Sequence, residues 1–167
     1  QPGVKMAIRS NAPHYCENGM PFNPARENAE DIQFALDHGL YWLEFDSMLG
    51  HWASWGPSYY VLLRQVWEGN DMYVEDILNE WFSAFGPAQR QVRSYYDFWE
   101  AHGRAVWNKP GEMDKFVVND LEIGGGKRAG RLYLIAEHFP PEVTAEARKL
   151  LDAAFVAAEN ADPAIKE

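Results

Sequence analysis

The sequence predicts an α/β fold in which a strand–helix–strand unit is followed by a mainly α-helical region. Two short runs rich in β-branched and aromatic residues, VKMAIRSN and LYWLEFDS, flank one amphipathic stretch near the N-terminus. Short connections between these three segments are typical of a βαβ unit with parallel strands. Beyond this unit, apolar residues recur at the three- and four-residue spacing of helices.

The first unit is predicted to contain strands over 4–11 and 40–47 with a helix between them. Asn23 is the predicted N-cap, Pro24 suits the first helical position because it has no N–H to leave unpaired, and Gly39 ends the helix. Two strands do not make a stable sheet alone. Further strands are therefore expected, either from stretches that read as loops or from outside this chain.

The remaining segments are predicted to be helical. One helix starts at Pro57 and runs to about Trp67, and a clear apolar stripe marks the next in VEDILNEWFSAFG. Gly86 and Pro87 end that helix and start another, and a last amphipathic helix begins at Pro141. NKPGEMDKF and NDLEIGGGKRAGRLY read as breaks. The opening QPGVKMAIRSN has no initial Met, which favours a piece of a longer protein.

Composition narrows the classes of partner. A net charge of −10 argues against nucleic acid and anionic membranes, and no run approaches the roughly 20 apolar residues of a membrane helix. Cys16 is the only cysteine, so no intrachain disulfide is possible. His14 and Cys16 lack further ligands at zinc spacing, and GGGKR lacks the phosphate-loop pattern. We therefore expect neither a metal nor a cofactor.

The run LEFDSMLGHWASWGPSYY concentrates acids and aromatic rings. In a strand, Glu44 and Asp46 share one face, with Cα atoms roughly 6.6 Å apart. That spacing suits a carboxylate pair that spans a sugar bond, and equally two acceptors for ligand hydroxyls. Both acids lie at the C-terminal end of a predicted parallel strand, where α/β folds place functional groups. The alternative is an ion pair with Arg9 on the neighbouring strand.

The residues after these acids extend the candidate site. Trp52 and Trp55 are predicted to lie in a loop between Gly50 and Gly56. Flat aromatic rings beside carboxylates are typical of a sugar-binding surface. His51 suits a general acid or base. The alternatives are a loop packed over the core and a hydrogen-bonded loop histidine. The end of the first strand adds further candidates to the same rim: Arg9, Asn11, His14 and Tyr15.

These motifs carry a resemblance to a known family. By LEFDSMLGHWASWGPSYYVLLRQVW followed by VEDILNEWFSAFGPAQRQVRSYYDFWE, the chain resembles the C-terminal part of domain-of-unknown-function family 4838. This is a bacterial, glycoside-hydrolase-like family similar to α-glucuronidases and β-N-acetylhexosaminidases. The resemblance covers roughly Val4 to Glu100, and its most specific marks are the FDS…G.WA..GP.YY run and ILNEWFSAFGPA.

The resemblance implies that residues 1–69 are the last βα units of a (β/α)8 (TIM) barrel and that residues 70–167 form an α-helical region. In similar sugar-cleaving barrels the acid/base carboxylates usually come from middle strands. Glu44 and Asp46 would then bind substrate and are only weak candidates for catalysis, while Trp52 and Trp55 wall the pocket. The chain alone is expected to be inactive.

The predicted function is therefore that of the C-terminal portion of a glycoside-hydrolase-like protein that contributes sugar-binding residues to a carbohydrate active site. The expected partners are an oligosaccharide or polysaccharide and the N-terminal remainder of the parent protein, which we expect to be extracytoplasmic or secreted. One alternative is a non-catalytic helical module that binds carbohydrate or protein. Another is a structural fragment whose strand edges are satisfied by self-association.

Overall fold

The computed structural model describes residues 5–10, 21, 23–45, 51–111 and 136–159. The strands and α-helices are β1 (Met6–Ser10), α1 (Ala25–Asp37), β2 (Leu40–Phe45), α2 (Trp52–Glu68), α3 (Val74–Ser83), α4 (Gln89–Trp107) and α5 (Pro141–Ala158). Short 3-10 helices occupy Gly69–Asp71 and Gly86–Ala88. The chain forms two compact units, Gln1–Ser83 and Ala84–Glu167. The predicted helix-rich character is confirmed.

The two strands of the first unit pair in parallel, as predicted from the strand–helix–strand order. The register places Arg9 opposite Glu44 and Ser10 opposite Phe45. In the described part of the chain this sheet has two strands, and consecutive side chains of β2, Tyr41 and Trp42, are both exposed. Because neighbouring side chains of a strand point to opposite faces, large aromatic surface is open on both faces of β2.

The helix between the strands starts one residue later than the predicted cap implies. Pro24, not Asn23, precedes the first residue of α1, so the N-cap prediction is wrong. The Asn23 side chain is buried, and its Oδ1 accepts a hydrogen bond of 2.8 Å from the Ser58 hydroxyl. A tertiary contact has thus replaced the local cap. Gly39 follows the helix with a φ of +82°, as expected for a glycine that ends it.

Helix α2 starts five residues before the predicted position, at Trp52 rather than Pro57. The loop assignment for Trp52 and Trp55 is therefore wrong. The carbonyl of His51 accepts the first helical hydrogen bonds, from the N–H groups of Ser54 (3.1 Å) and Trp55 (2.8 Å). Pro57 has no N–H to donate to the preceding turn. Its ring is fully buried in the first unit.

Close packing of α3 against α2 extends the first unit to Ser83. A Cβ atom at Gly56 would lie 2.6 Å from Cζ2 of the Trp81 indole, so only a glycine admits that ring. Buried Ile77, Leu78 and Phe82 form the inner face of α3, as the apolar stripe predicts. The compact unit therefore ends at Ser83, whereas the sequence places a domain boundary after residue 69.

The second unit is built on α4 and α5. Tyr96 and Trp99 are buried on α4, and the Trp99 ring centroid lies 5.6 Å from that of Phe139. His102 Nε2 lies 2.6 Å from the backbone carbonyl oxygen of His138 and donates to it, since a carbonyl only accepts. These contacts hold the residues just before α5 against α4. Among the residues described, no helix is long and apolar enough to cross a membrane.

Candidate functional site

The ends of the two parallel strands bring one predicted pair together. The Arg9 Nε atom lies 3.9 Å from Glu44 Oε1, and the two side chains are 59% and 43% exposed. An exposed pair at this separation contributes little to stability. The geometry matches the alternative in which Glu44 pairs with Arg9. It also leaves an arginine and a carboxylate open to solvent at the strand ends, where the polar groups of a ligand can bind.

Trp52 is the candidate whose ring is best placed to meet a ligand. It is the first residue of α2, and 46% of its surface is exposed. The ring packs edge-on against Tyr59, with centroids 5.2 Å apart, and is stacked near Trp81 at 6.3 Å. Two aromatic neighbours therefore fix the orientation of Trp52 while much of its surface remains open.

Trp55 is placed differently from its predicted role. It is only 4% exposed, and its ring lies 6.2 Å from Tyr59 in a stacked arrangement. One helical turn separates it from Trp52, so the two residues share one side of α2, and both rings contact Tyr59. Trp55 belongs to the core of the first unit and offers no ring face to a ligand in this structure.

His51 directly precedes Trp52 in the chain and is partly exposed. The remaining predicted site residues, Asn11, His14, Tyr15 and Asp46, lie outside the described residues. Among the predicted site residues that the structure describes, it thus brings the side chains of Arg9 and Glu44 together.

A polar network that the sequence did not predict lies beside these rings. The Tyr60 hydroxyl donates to Glu80 Oε1 at 2.7 Å, and Arg64 Nη2 donates to Glu80 Oε2 at 2.9 Å. Arg64 Nη1 also binds Glu68 Oε1 at 2.6 Å. The i, i+4 spacing of Tyr60, Arg64 and Glu68 was a usable signal. Glu80 was not, because it lies on another helix.

The network fixes the protonation of its members. The hydrogen bonds from Tyr60 and Arg64 lower the pKa of Glu80, so its carboxylate is ionised at neutral pH. The same Glu80 hydrogen bond raises the pKa of Tyr60 and keeps its phenol a donor. Tyr60 also contacts Trp81, with ring centroids 5.4 Å apart. A continuous set of contacts therefore links the exposed Trp52 ring, through Trp81, to an ordered donor–acceptor group.

This arrangement can bind a ligand that has both an apolar face and hydroxyl groups. In the described part of the chain, no group of three His, Cys, Asp or Glu side chains is arranged to hold a metal ion. Comparison with protein-family models, curated proteins and solved structures found no match to the chain.

Proposed function

We propose that the chain is the C-terminal portion of a glycoside-hydrolase-like protein and contributes sugar-contacting side chains to its active site. The observation that supports this proposal is the Trp52 ring, open to solvent at the start of α2, with the Tyr60–Glu80–Arg64 network two ring contacts away. We call this set, with Trp81, the Trp52 surface.

The chemistry of the Trp52 surface suits carbohydrate. A pyranose has an apolar face that stacks on an aromatic ring, and its hydroxyls need both donors and acceptors. Glu80 supplies an ionised acceptor and Arg64 a charged donor; hydrogen bonds to such groups are about twice as strong as neutral ones. Arg9 and Glu44 add a second donor–acceptor pair at the strand ends.

Under this proposal, the bond-breaking step belongs to the parent protein rather than to this chain alone. Glycoside hydrolysis uses two carboxylates on either side of the scissile bond. Glu44 and Asp46 act in substrate binding, and at least one member of the acid/base pair comes from the N-terminal remainder of the parent. Tyr41 and Trp42, exposed on opposite faces of β2, are consistent with further βα units covering the sheet.

The test is calorimetric titration of the parent protein with xylo-oligosaccharides, glucuronoxylan oligosaccharides and N-acetylchito-oligosaccharides. Trp52→Ala removes the stacking ring, so we expect binding of the recognised sugar to weaken about three- to tenfold, the equivalent of one aromatic contact. Trp67→Ala is the matched control, because Trp67 lies on the same helix and makes none of these contacts. If Trp52→Ala and the unaltered protein bind the sugar equally well, and circular dichroism shows both to be folded, the Trp52 surface is not the sugar-binding site.

A second candidate function, a non-catalytic binding module, is supported by a separate observation. Trp67 at the end of α2 is 86% exposed, and Tyr73, just before α3, is also exposed. Exposed large aromatics are typical of binding surfaces. Titration of the isolated 167-residue chain with the same sugars separates the two functions. Binding that Trp67→Ala weakens and Trp52→Ala does not favours the module.

A further inference from the structure

The second unit contains an apolar pocket between the start of α4 and the end of α5. Its volume is about 420 Å³. Its walls include Phe85, Ala88, Val92, Leu151, Ala154 and Phe155. This volume and lining fall within the range of small-molecule sites in proteins.

Small side chains create this pocket. One face of α5 packs against α4 and supplies part of the pocket lining. Its residues recur at helical spacing: Leu151, Ala154, Phe155 and Ala158. Ala88 and Ala154 are buried, so they form a floor rather than a rim. Phe155 is 71% exposed although it belongs to this apolar face. The alanines are too small to fill the space between the helices, and a cavity therefore remains open beside Phe155.

The end of α5 determines which charge the pocket accepts. Helix α5 finishes at Ala158, and both Ala158 and Glu159 line the pocket. The C-terminal end of a helix carries partial negative charge on its last carbonyl groups. Glu159 adds a carboxylate there and is the one charged side chain of the described lining. A ligand with an anionic group is therefore disfavoured.

We propose that this pocket binds a small apolar molecule that carries no negative charge. The site is independent of the Trp52 surface, which belongs to the first unit. Its ligand is a compact ring or branched hydrocarbon group with a neutral or basic head, held by apolar contact with the alanine floor.

The experiment titrates the full chain with N-phenyl-1-naphthylamine, a neutral apolar fluorophore, and follows the rise in its emission. Saturable binding at one site is expected. Ala154→Leu fills the floor of the pocket, so affinity should fall at least about tenfold, the equivalent of losing a few buried methylene groups. Ala153→Leu is the matched control, because Ala153 is exposed on the same helix and does not line the pocket. This control should bind like the unaltered chain.

A second titration tests the charge preference. 1-Anilinonaphthalene-8-sulfonate has the same rings and an added sulfonate, and it should bind about two- to fivefold more weakly than the neutral probe. Glu159→Gln should narrow that difference. If Ala154→Leu fails to fold by circular dichroism, Ala158→Leu replaces it with the same expectation. Unchanged affinity in a folded pocket-filling variant, or equal affinity for the two probes, overturns the proposal.

Discussion

At the scale of single residues, burial changes the pKa of Tyr96 on α4. Burial, with a smaller contribution from neighbouring Tyr95, raises the pKa of Tyr96 to about 12 from an ordinary 10. Between these values the folded protein keeps a proton that the unfolded chain loses. Because the folded state then binds more protons, stability falls as the pH rises through this window.

This shift gives the first prediction. From pH 10 to pH 12, Tyr96 should remove about 2 kcal/mol from the free energy of unfolding. Tyr96→Phe has no proton to lose, so urea denaturation should show a smaller alkaline loss for this variant than for the unaltered chain. Tyr73→Phe, at an exposed tyrosine, is the control and should follow the unaltered chain. Parallel pH profiles for Tyr96→Phe and the unaltered chain would contradict the assigned burial.

At the scale of elements, the contact of α2 with α3 depends on Gly56, which has no side chain. Alanine normally stabilises a helix relative to glycine by roughly 1 kcal/mol. At Gly56 the added Cβ would meet Cζ2 of Trp81 at 2.6 Å, which is too short for two carbon atoms. Trp81 is partly buried, and its ring is packed against Trp52 and Tyr60, so it cannot move freely. Overpacking should therefore outweigh the gain in helix propensity.

The second prediction is that Gly56→Ala lowers the free energy of unfolding by about 1–3 kcal/mol. Trp81→Leu removes the indole atoms concerned, so the cost of Gly56→Ala should be much smaller when Trp81→Leu is already present. Chemical denaturation of the four proteins in this double-mutant cycle measures the coupling. Additive effects of the two substitutions would show that the indole does not limit the space at Gly56.

The sequence predicted the elements whose signals are local. The apolar stripe of α3, the parallel pairing of β1 with β2 and the position of Gly39 follow from spacing and connection length. The start of α2 could not be predicted in this way. Proline is preferred in the first turn of a helix, so the sequence predicts a start at Pro57, whereas the helix begins at Trp52. The position of Asn23 before Pro24 is typical of an N-cap, but its side chain binds Ser58, 35 residues away in the chain, and no local pattern predicts such a contact.

In the candidate site, too, contacts with a local sequence signal could be predicted and contacts between separate helices could not. Alternation along a strand was sufficient to suggest that Glu44 could pair with Arg9. The Tyr60–Glu80 hydrogen bond joins two helices and depends on their packing, so no spacing rule could predict it. Trp52 and Trp55 carry the same side chain three residues apart, yet one is open and the other buried. They differ in their place along α2, because Trp52 is its first residue and Trp55 lies one turn further into the helix.

At the scale of the whole molecule, the charge is unevenly divided between the two units. Gln1–Ser83 contains four Lys and Arg against twelve Asp and Glu, a net charge of −8, while Ala84–Glu167 contains eleven against thirteen, a net charge of −2. The acidic field therefore surrounds the unit that carries the Trp52 surface. Such a field repels anions at long range, so under the proposed function uncharged sugars should bind better than uronic-acid polymers.

The third prediction measures that field at Trp67, the most exposed tryptophan among those described. Caesium and iodide both quench indole fluorescence but carry opposite charges. At about 0.01 M ionic strength, caesium should quench the protein better, relative to free N-acetyltryptophanamide, than iodide does. Trp67→Phe should remove a large share of the quenchable emission.

High salt should abolish the difference between the two ions because it screens the acidic side chains. Equal relative quenching at low ionic strength would mean that the excess charge of the first unit does not reach Trp67.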